Sequence, residues 1–169
     1  MAVLNPDHLF DQADRLIQPL VPGKPRQVDL RRAISAAYYA VFHYILTKAA
    51  DQCVGAANRG TKNYSLVYRS VDHRALRDLC METKKSTPSA KYIKHIPDSG
   101  FGPNIPAFAS ALVELQEKRH SADYDPAYRV KTSDARLAIA QARSAIARFE
   151  NSKDYRKRSF VSLLLFAPR

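Results

Sequence analysis

Val28 to Asp51 constrains the fold more than any other stretch of this chain. Leu30, Ala33, Ile34, Ala37, Val41, Tyr44 and Ile45 recur there at helical spacing. The pattern predicts one long helix with an apolar face that other elements must cover. Small residues at Ala33, Ser35, Ala36, Ala37 and Ala40 would let neighbouring helices approach closely. Tyr38, Tyr39, Phe42, His43 and Tyr44 make the segment unusually aromatic. A stripe of this kind reads first as helix-packing core, and His43 as a packed or surface histidine rather than a ligand.

The partners this helix needs are visible along the chain. Asn5-Pro6 is an N-cap followed by a proline suited to the first helical position. Leu9, Phe10, Ala13, Ile17 and Leu20 then share a face, and Pro19, Pro22, Gly23 and Pro25 end that helix. A third helical segment runs from about Ser65 to Lys84, with Leu66, Val67, Val71, Ala75, Leu79 and Cys80 on a weaker apolar face. Asp72 and His73 read as a cap at a break between two shorter helices. A fourth helix covers about Ile105 to Ala122 and stops at Asp125-Pro126, because a proline pushes the residue before it away from helical angles. Thr132-Ser133-Asp134 signals the start of a fifth, with Ala135, Ile139, Ala142, Ile146 and Phe149 on one face. The tail turns from basic, Lys153 to Arg158, to apolar, Phe160 to Phe166. That predicts a short C-terminal helix that either covers a groove or makes a dimer contact.

Residues 85–106 break the pattern. Pro88, Pro97, Pro103, Pro106, Gly100 and Gly102 forbid a continuous helix. Lys84, Lys85, Lys91, Lys94 and His95 make the region basic, with Tyr92 and Phe101 interleaved. It is either a solvated insertion or a surface for single-stranded nucleic acid, which basic and aromatic residues together suit. No strand alternation and no repeat is evident, and glycine is scarce, with 5 in 169 residues. The expectation is all-α: one domain over residues 1–169, an up-and-down helical bundle with a long irregular basic insertion and a short C-terminal helix.

The formal charge of +11 would attract a polyanion, although basic proteins without such a partner also exist. Cys53 and Cys80 form no metal-ligand spacing, so no metal site is expected. No apolar run approaches the roughly 20 residues of a membrane helix, and no secretory signal is visible. These features predict a cytoplasmic protein with no membrane partner. Nucleophile-elbow, Walker, dinucleotide and H-E-x-x-H patterns are missing, and no cofactor is called for.

The densest chemistry lies at Glu117 to Pro126. Phe108, Leu112 and Leu115 define a buried face, and one further step of four lands on Arg119. A charge on such a face is either paired or functional. Asp123 lies one turn on, placed to neutralise and orient Arg119. Tyr124 sits where the chain turns, so its hydroxyl would reach back toward the guanidinium. His120 projects about 100° round the helix. An arginine forked toward phosphate beside a hydroxyl and an imidazole suits RNA phosphodiester chemistry. The structural reading is that Arg119 pairs with Asp123 and satisfies the carbonyls at the helix C-terminus.

Two stretches, Arg31-Arg32-Ala33-Ile34-Ser35-Ala36-Ala37-Tyr38-Tyr39-Ala40-Val41-Phe42-His43 and Arg119-His120-Ser121-Ala122-Asp123-Tyr124-Asp125, resemble in order the second-helix signature and the Arg-x-x-Ala-Asp-Tyr-Asp signature of one branch of the HEPN family. The resemblance implies a helical bundle, commonly a homodimer with its motifs meeting at one cleft. It also implies RNA or nucleotide binding, and in many members metal-independent RNA cleavage in toxin–antitoxin, defence or RNA-processing systems. An antitoxin or nucleotidyltransferase-like partner is the alternative setting, with the chain as a non-catalytic module. Arg119 matches the motif arginine. The motif histidine, which follows the arginine after four to six intervening residues, is absent, and Tyr124 stands nearest its place. The expected catalytic set is therefore Arg119, Asp123, Tyr124 and His120. The expected nucleic-acid contacts are Lys84, Lys85, Lys91, Tyr92, Lys94 and Arg119.

Overall fold

A computed structural model of the chain describes residues 4–18 and 23–168. The expected helical residue Leu20 and the breakers Pro19 and Pro22 lie outside that range. The described residues form helices α1 (Pro6–Leu16), α2 (Gln27–Val54), α3 (Lys62–Tyr68), α4 (His73–Thr83), α5 (Ala90–Ile93), α6 (Asn104–Tyr124), α7 (Thr132–Glu150) and α8 (Asp154–Leu165), and contain no strand. The fold is an all-helical bundle. None of these helices is long and apolar enough to cross a membrane.

The long second helix is the hub. It packs against α1, α3, α6, α7 and α8. Its burial therefore extends well beyond one stripe: Ala36, Tyr38, Phe42, Tyr44 and Leu46 are buried along with Leu30, Ala33, Ile34, Ala37, Val41 and Ile45. A helix enclosed this fully is a core element rather than an amphipathic surface helix. Its alanines are what allow so many neighbours to close on it.

Local signals explain the other boundaries. Asn5 accepts a hydrogen bond from the Asp7 N–H, and Pro6 opens α1. The break near Asp72 is real: its side chain accepts from the Ala75 N–H and starts α4 one residue later. α3 begins earlier than expected because Thr61 caps it. The residue it buries is Tyr64, while Leu66 is 72% exposed. Tyr64 donates to Asp51, which Arg59 also grips through two nitrogens. At the start of α7 the working cap is Asp134, whose carboxylate accepts from the Lys131 N–H.

The structure makes the expectations about the irregular parts specific. The apolar tail is core: Phe160, Val161, Leu163 and Leu164 are buried, and the Phe160 ring packs against Phe101, Phe108 and Phe149. The insertion is a docked arm. The Ser159 hydroxyl donates to the His95 carbonyl, Arg156 donates to the Ser99 carbonyl, and the Ser99 and Tyr155 hydroxyls share a bond. Gly102 suits the point where the arm meets α8. Its φ of +66° suits glycine, and a Cβ there would run into the Arg156 guanidinium.

Candidate functional site

α6 carries its inward face about one turn past the buried Leu115, so Arg119 enters the space between α6 and α2 with its side chain only 15% exposed. Its Nε lies 2.9 Å from an Asp123 carboxylate oxygen. The other oxygen of Asp123 accepts from the buried Ser35 hydroxyl at 2.6 Å. Arg119 Nη2 donates to the Tyr39 hydroxyl at 2.5 Å. The guanidinium carbon lies 5.2 Å from the centre of the Tyr39 ring, 5.6 Å from Tyr124 and 5.9 Å from Tyr38. Burial by itself would lower the Arg119 pKa. The bond to Tyr39 and the field of Asp123 outweigh it and raise the pKa, so the cation is secure.

The expected pairing with Asp123 is therefore present, but two details differ. The α6 C-terminal carbonyls are satisfied by Arg31 of α2, which donates to the Ala122 and Asp125 carbonyls at 2.5 and 2.7 Å. The hydroxyl bonded to Arg119 is that of Tyr39. Tyr124 presents its ring instead, and is 64% exposed.

Arg119 lines two open grooves. One, of about 510 Å³, is formed by Gln27, Val28, Arg31, Arg32, Tyr39, Asp123 and Tyr124 around it. The other, of about 380 Å³, is formed with Arg77, Gln116, Glu117, His120 and Ser121. The expected quartet is thus divided: Asp123 and Tyr124 share the first groove, and His120 faces the second. The His120 and Tyr124 ring centres are 5.0 Å apart at the end of α6. Lys84, Lys85, Lys91 and Lys94 line neither groove. They are exposed on the docked arm and its approach, with Lys85 paired to Glu82. Tyr92 is 7% exposed within the core, so its ring offers no stacking surface for a base. The turn of helix in α5 is what turns it inward.

Sequence reasoning gave no site role to Arg31, Arg32, Tyr39 or His73. The first three lie in the stretch that carries the HEPN resemblance. His73, the first residue of α4, was assigned only to the helix break. Its Nδ1 and the Tyr38 hydroxyl are 2.7 Å apart, and its ring centre is 3.9 Å from that of Phe42. His43 repeats the arrangement with the Tyr68 hydroxyl at 2.7 Å. Burial, and then the Arg119 charge, lower the His73 pKa. Burial, and then His73, lower that of His43.

Because both folded-state values lie below the ordinary 6.5, the stability linked to them is complete above that pH and is lost as pH falls from 6.5 toward the folded values. Thermal melts are expected to show a falling Tm between about pH 7 and pH 5. His73→Gln should flatten the decline, and an equal slope in that variant would remove His73 from this account.

Among the described residues, no group of His, Cys, Asp and Glu is placed to hold a metal ion. No protein-family description matches the chain, and neither the curated proteins nor the solved structures contain a match to it.

Proposed function

We propose that this chain is a HEPN-like RNA-binding protein whose Arg31–Arg32–Arg119 groove holds the phosphate backbone. The observation that carries this reading is the gathering of three guanidinium groups on one open groove whose lining includes one carboxylate, Asp123. Arg31 is held by carbonyls, which position its charge without neutralising it. Arg32 is exposed and in no ion pair among the described residues. Arginine forks match phosphate oxygens, and Tyr39 and Tyr124 add aromatic faces beside them. The formal charge of +11 favours the same class of partner.

The test is fluorescence anisotropy with a 2′-O-methyl oligouridine, which cannot be cleaved through its 2′ position. Affinity is expected to fall with salt at about −0.7 in log–log slope per phosphate contacted. Arg32→Ala is expected to weaken binding several-fold and to flatten the slope by roughly one contact. Affinity that ignores salt would rule out a phosphate-dominated contact.

Metal-independent cleavage is a second reading, favoured by the His120 imidazole on the groove that Arg119 also lines. It requires unmodified RNA to be cut in EDTA, leaving cyclic-phosphate ends. RNA that stays intact across a wide protein concentration range leaves the binding reading alone.

A further inference from the structure

We propose that the outer face of α8, with the docked arm beside it, is a second contact for the RNA phosphate backbone, at the opposite end of α2 from the Arg119 groove. This rests on the RNA-binding reading and adds to it a surface and a dependence on strand length.

The positive charge of the chain is unevenly placed. Residues 84–102 and 153–166 hold eight lysines and arginines against two aspartates, Asp98 and Asp154. More than half of the formal excess of +11 therefore lies in these two segments, and the three arginines of the groove lie outside both. Some of these cations are neutralised locally: Lys85 pairs with Glu82, and Lys157 with Glu150 and Asp154. Lys91, Lys94 and Arg158 are exposed and in no ion pair among the described residues.

The fold brings the two segments together in register. The Arg156 and Tyr155 side chains reach Ser99, and the Ser159 hydroxyl donates to the His95 carbonyl at 3.0 Å. Lys91 lines an open hollow with Leu163 and Leu164. The arm thus runs antiparallel along α8, and its lysines flank that helix. Tyr155, Arg158, Ser162 and Phe166 follow one another by three, four and four, the spacing of a single helix face. All four are exposed, Tyr155 by 45% and Phe166 by 70%. A cation between two open aromatic rings, with lysines alongside, is a combination that single-stranded nucleic acid suits: phosphates meet the cations and bases meet the rings. A bilayer would require a wide apolar face, and α8 has committed its own, through Phe160 and Leu164, to the core.

This surface is remote from the groove. Gln52, near the end of α2, donates to the Arg158 carbonyl and the Ser162 hydroxyl. Arg32, near the start of α2, lines the groove. Positions 32 and 52 of that helix are about 30 Å apart at 1.5 Å per residue. A stacked strand rising about 3.4 Å per phosphate covers that span in about nine nucleotides.

Anisotropy with 2′-O-methyl oligouridines of about 5 and about 20 nucleotides, below and above that length, tests the inference. The longer strand is expected to bind the wild type more tightly and with a steeper salt dependence. Lys94→Glu combined with Arg158→Glu should weaken the longer strand about tenfold, flatten its slope by roughly two contacts, and leave the shorter strand unchanged. Both side chains are exposed, so the Tm of this variant should match that of the wild type. Unchanged affinity and slope for the longer strand overturn the inference while the groove keeps its role. Loss of binding to phosphatidylserine vesicles with RNA binding intact assigns the face to lipid and overturns it as well. If Arg32→Ala leaves the shorter strand unaffected while the double variant still weakens the longer one, the groove reading fails and the α8 face stands. A wild type that binds neither strand removes both.

Discussion

Phe160→Ala is expected to destabilise the fold by about 3–5 kcal/mol, the usual cost of emptying a large buried aromatic site. The Phe160 ring is fully buried, and its centre lies 5.8 Å from that of Phe108, 5.9 Å from Phe149 and 6.1 Å from Phe101. Those three residues belong to α6, α7 and the docked arm, so one cavity would loosen three contacts of α8. For a chain of this size each kcal/mol moves Tm by roughly 2–4 °C. The control lies in the same apolar run: Phe166 is 70% exposed, and Phe166→Ala is expected to stay within about 0.5 kcal/mol of wild type. Two variants of equal, small effect would mean that α8 is not a structural helix.

Arg119→Ala is expected to have the largest effect on RNA binding, a loss of roughly ten- to a hundredfold for a charge-assisted contact worth about 1.5–3 kcal/mol. It should also cost stability, because Asp123 would keep only the Ser35 hydroxyl as a partner for a carboxylate that is 21% exposed. The two effects are separable. Adding Asp123→Asn removes the stranded charge, so the double variant should regain most of the stability and none of the oligouridine affinity. Arg119→Lys should retain part of the binding, since it keeps a point charge and loses the fork. If the double variant regains RNA affinity together with stability, Arg119 serves the fold and phosphate is held elsewhere.

Much of this architecture was legible in the sequence because it depends on local chemistry. The α2 periodicity, the Asn5-Pro6 start, the Asp72 break and the Asp125-Pro126 stop each arise within a few residues and appear where the pattern puts them. The features that were not legible depend on where distant segments meet. Phe160 reads as tail or core with equal ease until α6 and α7 are placed around it. Tyr92 reads as a stacking platform until one turn of helix rotates it inward. Arg119 could be located on the buried face by spacing alone. That Arg31, 91 positions from Ala122, would take the α6 carbonyls required knowing that α2 and α6 cross there. His73 shows the same limit: its spacing marks a cap, and only the fold brings its ring to the Tyr38 hydroxyl.

The enclosure of α2 has a further consequence for the groove above it. With α1, α3, α6, α7 and α8 packed round it, α2 leaves only a part-exposed stripe through Tyr39, His43 and Thr47, and its central amides are hydrogen-bonded within a mostly buried helix. Those amides should therefore exchange their hydrogens for deuterium more slowly than any others in the molecule. Ser35, Tyr38 and Tyr39 stand on that segment. The floor of the groove is then among the last parts of the protein to lose order on heating, and its geometry should persist up to the melting transition.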